Sequence, residues 1–129
     1  MIWPNLSAVA VGAFAGGCLR SLASGWLNRK DYAIPCGTLL VNLAGSLLVG
    51  IMLGVVAMGS VAEPWKALLI TGFCGGLTTF STFSADTYKL LQTNAWQAIA
   101  LVLASLFLGM LLYALGHRLP RRNAHADVV

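Results

Sequence analysis

Four long apolar runs, separated by short polar connections, dominate the chain. They cover about 6–27, 34–58, 65–91 and 96–115. Each is long enough to cross a hydrocarbon core, which takes about 20 helical residues. The first run holds one charge, Arg20, and the second and fourth hold none. The third carries Lys66, Asp86 and Lys89 near its ends. Lipid offers no partner to an unpaired backbone group, so each run is expected to be a helix. The connections 28–33, 59–64 and 92–95 are short, and the tail 118–129 is polar and expected to fray. The pattern predicts an all-α membrane protein with four transmembrane helices in one domain, residues 1–117.

Composition strengthens this reading. The 129 residues are 58% hydrophobic and 9% charged, against about 25% charged in a soluble domain. So few charges cannot cover a wet surface, and lipid is the expected cover. The net charge of +4 does not point to nucleic acid. Arg29, Lys30, Arg118, Arg121 and Arg122 flank apolar runs as membrane anchors and form no patch of their own. Trp3, Trp26, Trp65 and Trp96 stand near run ends, as an interfacial aromatic belt requires. Cys18, Cys36 and Cys74 lack metal-binding spacing and are expected to be small buried hydrophobes. The N-terminus has no basic segment before its apolar run and no evident cleavage site, so it is read as a retained span.

With four crossings, both termini and the middle connection share one side. That side carries Lys66, Arg118, Arg121 and Arg122; the other carries Arg29, Lys30 and Lys89, with Arg20 nearer that face. Positive charge sets orientation by its bias, and here there is almost none. Insertion both ways, and an antiparallel dimer of opposed copies, follow as expectations. Gly12-x-x-x-Gly16 and Gly50-x-x-x-Gly54 have the spacing of close helix contacts.

The chemistry gathers in residues 72–84, Gly-Phe-Cys-Gly-Gly-Leu-Thr-Thr-Phe-Ser-Thr-Phe-Ser. Adjacent glycines weaken a helix by up to about 1 kcal/mol each, and Ser and Thr favour helix starts. A broken helix is expected, one half ending near Gly75 and the next starting around Thr78 or Thr79. Such a break lines an ion or substrate site; the alternative is a kinked packing helix whose hydroxyls bond carbonyls a turn back. Phe80 and Phe83 share a helix face, and the positive ring edges suit a small anion, although such pairs often only pack. Asn42 sits within the apolar second run with two amide donors. Arg20 is either functional or close enough to the run end to snorkel to water.

Gly16-x-x-x-Arg20, Gly37-Thr38-x-x-x-Asn42-x-x-Gly45 and the 72–84 segment together resemble the Fluc/CrcB family of bacterial fluoride channels, over roughly residues 5–117. The resemblance implies a dual-topology homodimer in the inner membrane with two passive fluoride pores. It gives Phe80 and Phe83 ring-edge contacts with fluoride and Asn42 hydrogen bonds along the pore. Thr79, Ser81 and Thr82 become hydroxyl donors, with Ser105 lining the fourth span and Arg20 lending positive potential to the vestibule. The backbone carbonyls of Gly75 and Thr78 would hold a structural sodium ion on the dimer axis. Gly109, a turn after Ser105, departs from the small hydroxyl residue often found there, and Tyr113 follows. The runner-up is a small dual-topology multidrug exporter, but that needs a deep membrane acid, and none lies deep in any run. A non-transporting scaffold would leave 72–84 unexplained, and no nucleophile–base pair suggests an enzyme.

Overall fold

The computed structural model describes residues 2–28, 34–59 and 61–127. Every regular element among them is helical: α1 (Ile2–Leu27), α2 (Cys36–Ala57), α3 (Glu63–Lys66), a π-helix (Ala67–Cys74), α4 (Gly75–Leu77), α5 (Phe80–Thr93) and α6 (Ala95–Ala126). α3, the π-helix and α4 run on as one limb. Four helical stretches are long and apolar enough to cross a membrane, the third comprising Glu63–Thr93. The first connection lies mostly outside the described residues, with Arg29 and Lys30, as does the side chain of Trp3.

Two pairs of helices build the bundle, and glycines set both. Gly12 and Gly16 of α1 face the backbone of Leu68 and Phe73, with no room for a Cβ. From the other side, a Cβ on Gly76 would stand 2.6 Å from the Ala13 carbonyl oxygen. In the second pair Gly50 abuts the Tyr113 backbone, and a Cβ on Gly54 would stand 2.5 Å from the His117 carbonyl oxygen. Such absence of side chains lets backbones approach within dispersion range, the main attraction between helices in lipid. In each pair the residue numbers rise together, so α1 runs parallel to the third crossing and α2 parallel to α6. Four alternating crossings require this.

Several boundaries differ from those expected. α5 and α6 are separated by Asn94 alone, whose Oδ1 accepts the Gln97 N–H at 3.3 Å and starts α6. α6 continues to Ala126 through Pro120 instead of fraying after residue 117. Its last turns are rich in Arg, Leu and Ala, which are good helix formers, and His125 lies by the negative end of the dipole. Cys74 is buried as expected, but Cys36 is half-buried and Cys18 exposed. α1 has one face covered by the bundle, and Cys18 lies off that face.

Candidate functional site

The break in the third crossing falls two residues later than the glycines suggested. Gly75 and Gly76 remain helical, and Gly76 serves the close approach to α1. The chain leaves the helix at Thr78 (φ −83°, ψ 156°) and Thr79 (φ −150°, ψ 120°), both extended. α5 then begins at Phe80, with Thr79 Oγ1 accepting the Thr82 N–H at 3.2 Å. Helix termination here follows from capping and from tertiary hydrogen bonds, not from glycine's low propensity.

Two side chains from other helices satisfy the backbone exposed by the break. The Thr79 N–H donates to Asn42 Oδ1 at 2.8 Å, and Asn42 Nδ2 donates back to the Thr79 carbonyl at 3.1 Å. Asn42 therefore behaves like a strand partner for one residue, inserted from α2. One of its two amide hydrogens is committed in this way, so only the other remains for a pore ligand. From α1, Arg20 Nη1 donates to the Thr78 carbonyl at 3.4 Å. Arg20 thus reaches the break itself, whereas snorkelling would have turned it to the membrane surface.

Asn42, Thr79, Phe80, Phe83 and Ser105 line one cleft of about 430 Å3, and its lining includes no Asp, Glu, Lys, Arg or His. The Phe80 and Phe83 ring centroids are 6.3 Å apart with planes tilted by 41°. Phe80 is 80% exposed, so its ring projects from the protomer, while Phe83 is half-buried. α5 directs the positive end of its dipole at this cleft, since its first residue is Phe80. Ser81 and Thr82 are exposed and, like Arg20 and Gly75, do not line the cleft; the Ser81 hydroxyl lies 3.3 Å from that of Thr79. Thr78 does line it, although its own hydroxyl donates back to the Cys74 carbonyl at 2.9 Å.

A second polar cluster received no role from the sequence. Asn28, at the end of α1, accepts the Gly37 N–H at 2.7 Å and the Thr38 N–H at 3.4 Å, and so caps α2 from another helix. Asn28 Nδ2 also donates to Thr38 Oγ1 at 3.3 Å, and that hydroxyl donates to Asp86 at 2.9 Å. The α2 start thereby holds a carboxylate through a buried threonine, as the positive end of a helix favours. Asp86 was visible as a near-terminal acid and Thr38 as part of a motif. Their meeting depends on α2 and α5 crossing, which spacing does not encode.

A bundle of four apolar crossings, one of them interrupted beside a polar and aromatic cleft, defines a multi-pass α-helical membrane protein. A family model described as CrcB-like protein, Camphor Resistance (CrcB), matches residues 7–117, and the chain belongs to that CrcB family. Among its relatives, a protein of Bordetella petrii is 50% identical over 115 residues, covering 87% of this chain and 88% of its own. One of Marinobacter nauticus is 41% identical over 117 residues, covering 89% and 93%. Both are named fluoride-specific ion channel FluC. A Bacillus subtilis relative, 42% identical over 118 residues and covering 92% and 88%, is named fluoride-specific ion channel FluC 2.

Proposed function

We propose that this protein is a fluoride-selective passive channel that exports fluoride across a bacterial inner membrane and relieves fluoride toxicity. The observation that carries the reading is the acid-free cleft at the helix break, where two phenylalanine rings, Asn42 and hydroxyls meet. It agrees with the names of the relatives, which are ion channels and not enzymes. The exporter reading gains nothing from this cleft, because its lining has no carboxylate to carry a proton.

Fluoride is small and strongly hydrated, and a pore must replace its water without trapping it. Ring edges, the second Asn42 amide hydrogen and the hydroxyls of Thr79 and Ser105 are numerous weak donors in the cleft, and the Ser81 and Thr82 hydroxyls lie outside its lining, where they would serve only its approach. They exchange readily with water, so the ion enters and leaves. Arg20 and the start of α5 add positive potential near the break without closing on the ion.

The break is read as lying mid-membrane. The limb Glu63–Leu77 and α5 have 15 and 14 residues, about 21 to 23 Å each at 1.5 Å per residue. Neither spans the roughly 30 Å of hydrocarbon alone. An antiparallel, dual-topology homodimer is supported by the balanced Lys/Arg count and by the exposure of Phe80, Phe14 and Phe107 on a lone protomer. The same reading assigns a structural sodium ion to the Gly75 and Thr78 carbonyls of both copies. The donor set fits. With the Thr79 N–H turned to Asn42, the Gly75 carbonyl loses its helical partner, and uncharged oxygens suit a hard cation. Bound there, the ion would supply positive charge that ties two breaks together.

Efflux from liposomes holding only this protein tests the function. Rapid fluoride loss with chloride retained is expected; chloride loss at a comparable rate would end the selective-channel reading.

A further inference from the structure

The end of the protomer where α2 and α6 finish and the third crossing begins carries two features that the cleft does not use. The first is an apolar groove of about 210 Å3 between α2 and the limb Glu63–Leu77, walled by Ile51, Met52, Val55, Val56, Leu69 and Ile70. Its only charged side chain is Lys66, next to the exposed Trp65. The second is a basic stripe on α6. Because α6 stays helical to Ala126, the spacing of Arg118, Arg121 and Arg122 gathers them on one helix face. All three are exposed, and none is ion-paired with an acid among the described residues. Gly54 abuts the His117 backbone, so the stripe starts level with the last turn of α2, at the same end as the groove.

Both features stand at headgroup depth. α6 has 32 residues, about 48 Å at 1.5 Å per residue, against roughly 30 Å of hydrocarbon. The roughly 20 residues that cross it, counted from Trp96, end near Leu115, so the arginines lie just beyond. Lys66 lies in the first turns of the third crossing, at the matching level. Apolar wall below and cations above match the profile of a phospholipid with a negative headgroup. We infer that this end of the protomer binds an anionic phospholipid, with one acyl chain in the groove and the headgroup phosphate at Lys66, while the α6 arginines draw anionic lipid to the site. The inference stands apart from the fluoride-channel reading, since none of these residues lines the cleft.

Lys66 suits the part. It is half-buried and lines the groove, so its stem lies against apolar surface while the ammonium reaches for water. The ammonium holds Glu63 Oε1 at 3.2 Å, which leaves two of its three N–H donors for a phosphate. Glu63 is exposed and sits in the first turn of α3, where the helix dipole favours it. An exposed pair of this kind is weak enough to share its cation. Lys66 and the three arginines outnumber Glu63, so the end as a whole attracts a negative headgroup and gains little from a zwitterionic one.

The test is native mass spectrometry of the purified protein, released from detergent that contains phosphatidylglycerol or phosphatidylcholine. The wild type should retain phosphatidylglycerol at about tenfold lower lipid concentration than phosphatidylcholine, and added salt should narrow that gap. Lys66→Gln keeps most of the stem and should remove most of the preference. Changing both Arg121→Gln and Arg122→Gln should narrow it by a smaller factor. Val55→Phe fills the groove and should reduce retention of both lipids. Equal retention of the two lipids by the wild type, or an unchanged preference in Lys66→Gln, would overturn the inference. Unchanged retention in Val55→Phe would overturn it too, and a simultaneous shift in elution on size-exclusion chromatography would assign the groove to a second copy of the chain. If Val55→Phe does not fold, Lys66→Gln decides alone.

Discussion

The two helix pairs of this bundle use the same device and reach different ends. α2 and α6 meet through Gly50 and Gly54 and remain regular along their length. α1 meets the third crossing through Gly12 and Gly16, yet that partner passes through a π-helix, returns to α-helix and then breaks. Close packing therefore does not by itself straighten a helix. The difference lies in who satisfies the backbone. Within α2, past the start that Asn28 caps, and within α6, apart from the gap left by Pro120, the ladder satisfies itself, while at Thr78 and Thr79 two side chains from other helices do so. An interruption becomes stable once the protein supplies from outside what the helix gives up.

The largest expected effect breaks the shared device. Gly16→Val drives a side chain into the Phe73 carbonyl and the Leu77 amide, whereas its neighbour Gly17 has nothing within 4 Å. Backbone cannot yield as a side chain does, so Gly16→Val should cost more than about 3 kcal/mol. It should aggregate on size-exclusion chromatography while Gly17→Val elutes like wild type. Equal behaviour of the two would mean that the α1 contact is not the one described.

Next comes the external support of the break. Asn42→Leu keeps the volume but strands the Thr79 N–H and carbonyl, each worth about 1–3 kcal/mol when unpartnered. Fluoride efflux should fall at least about a hundredfold. The matched change Leu47→Asn in the same helix would not rescue it. Retained efflux in Asn42→Leu would show that the break holds without its splint.

A smaller effect is expected at the rings. Phe80→Ile or Phe83→Ile largely keeps apolar volume but loses a ring edge worth on the order of 1 kcal/mol, and more in a dry pore. About a tenfold fall in efflux with normal elution is expected; full efflux in both would reduce the rings to packing. The smallest effect belongs to the cap. Thr79→Ala removes the acceptor for the Thr82 N–H and should cost about 1 kcal/mol in detergent unfolding, with Thr79→Ser close to wild type. A Thr79→Ser loss as large as that of alanine would show that the methyl group matters, not the cap.

The features that the sequence exposed were those written in composition or in short-range spacing. Four crossings follow from apolar length, and the glycine contacts from their four-residue interval. The break was legible because glycines and hydroxyls are out of place in an apolar run, but its position was set by Asn42, 37 residues away. The π-helix left no trace, since Ala67–Cys74 reads as ordinary apolar helix. A wider turn of this kind is chosen by packing against α1 more than by local propensity. The Asn28–Thr38–Asp86 chain joins three helices, and no pattern within one helix announces it.

The pairing order of the spans bears on how the protein is made. α1 waits for the third crossing and α2 waits for α6, so neighbours in sequence are not the principal partners in space. A nascent chain emerges N-terminus first. When only two crossings have left the ribosome, neither glycine seam has found its mate. The first seam closes on release of the third crossing, and the second needs residues up to His117. A chain truncated before α6 leaves Gly50 and Gly54 without the backbone that they abut. Closure of both seams thus waits on the completion of synthesis.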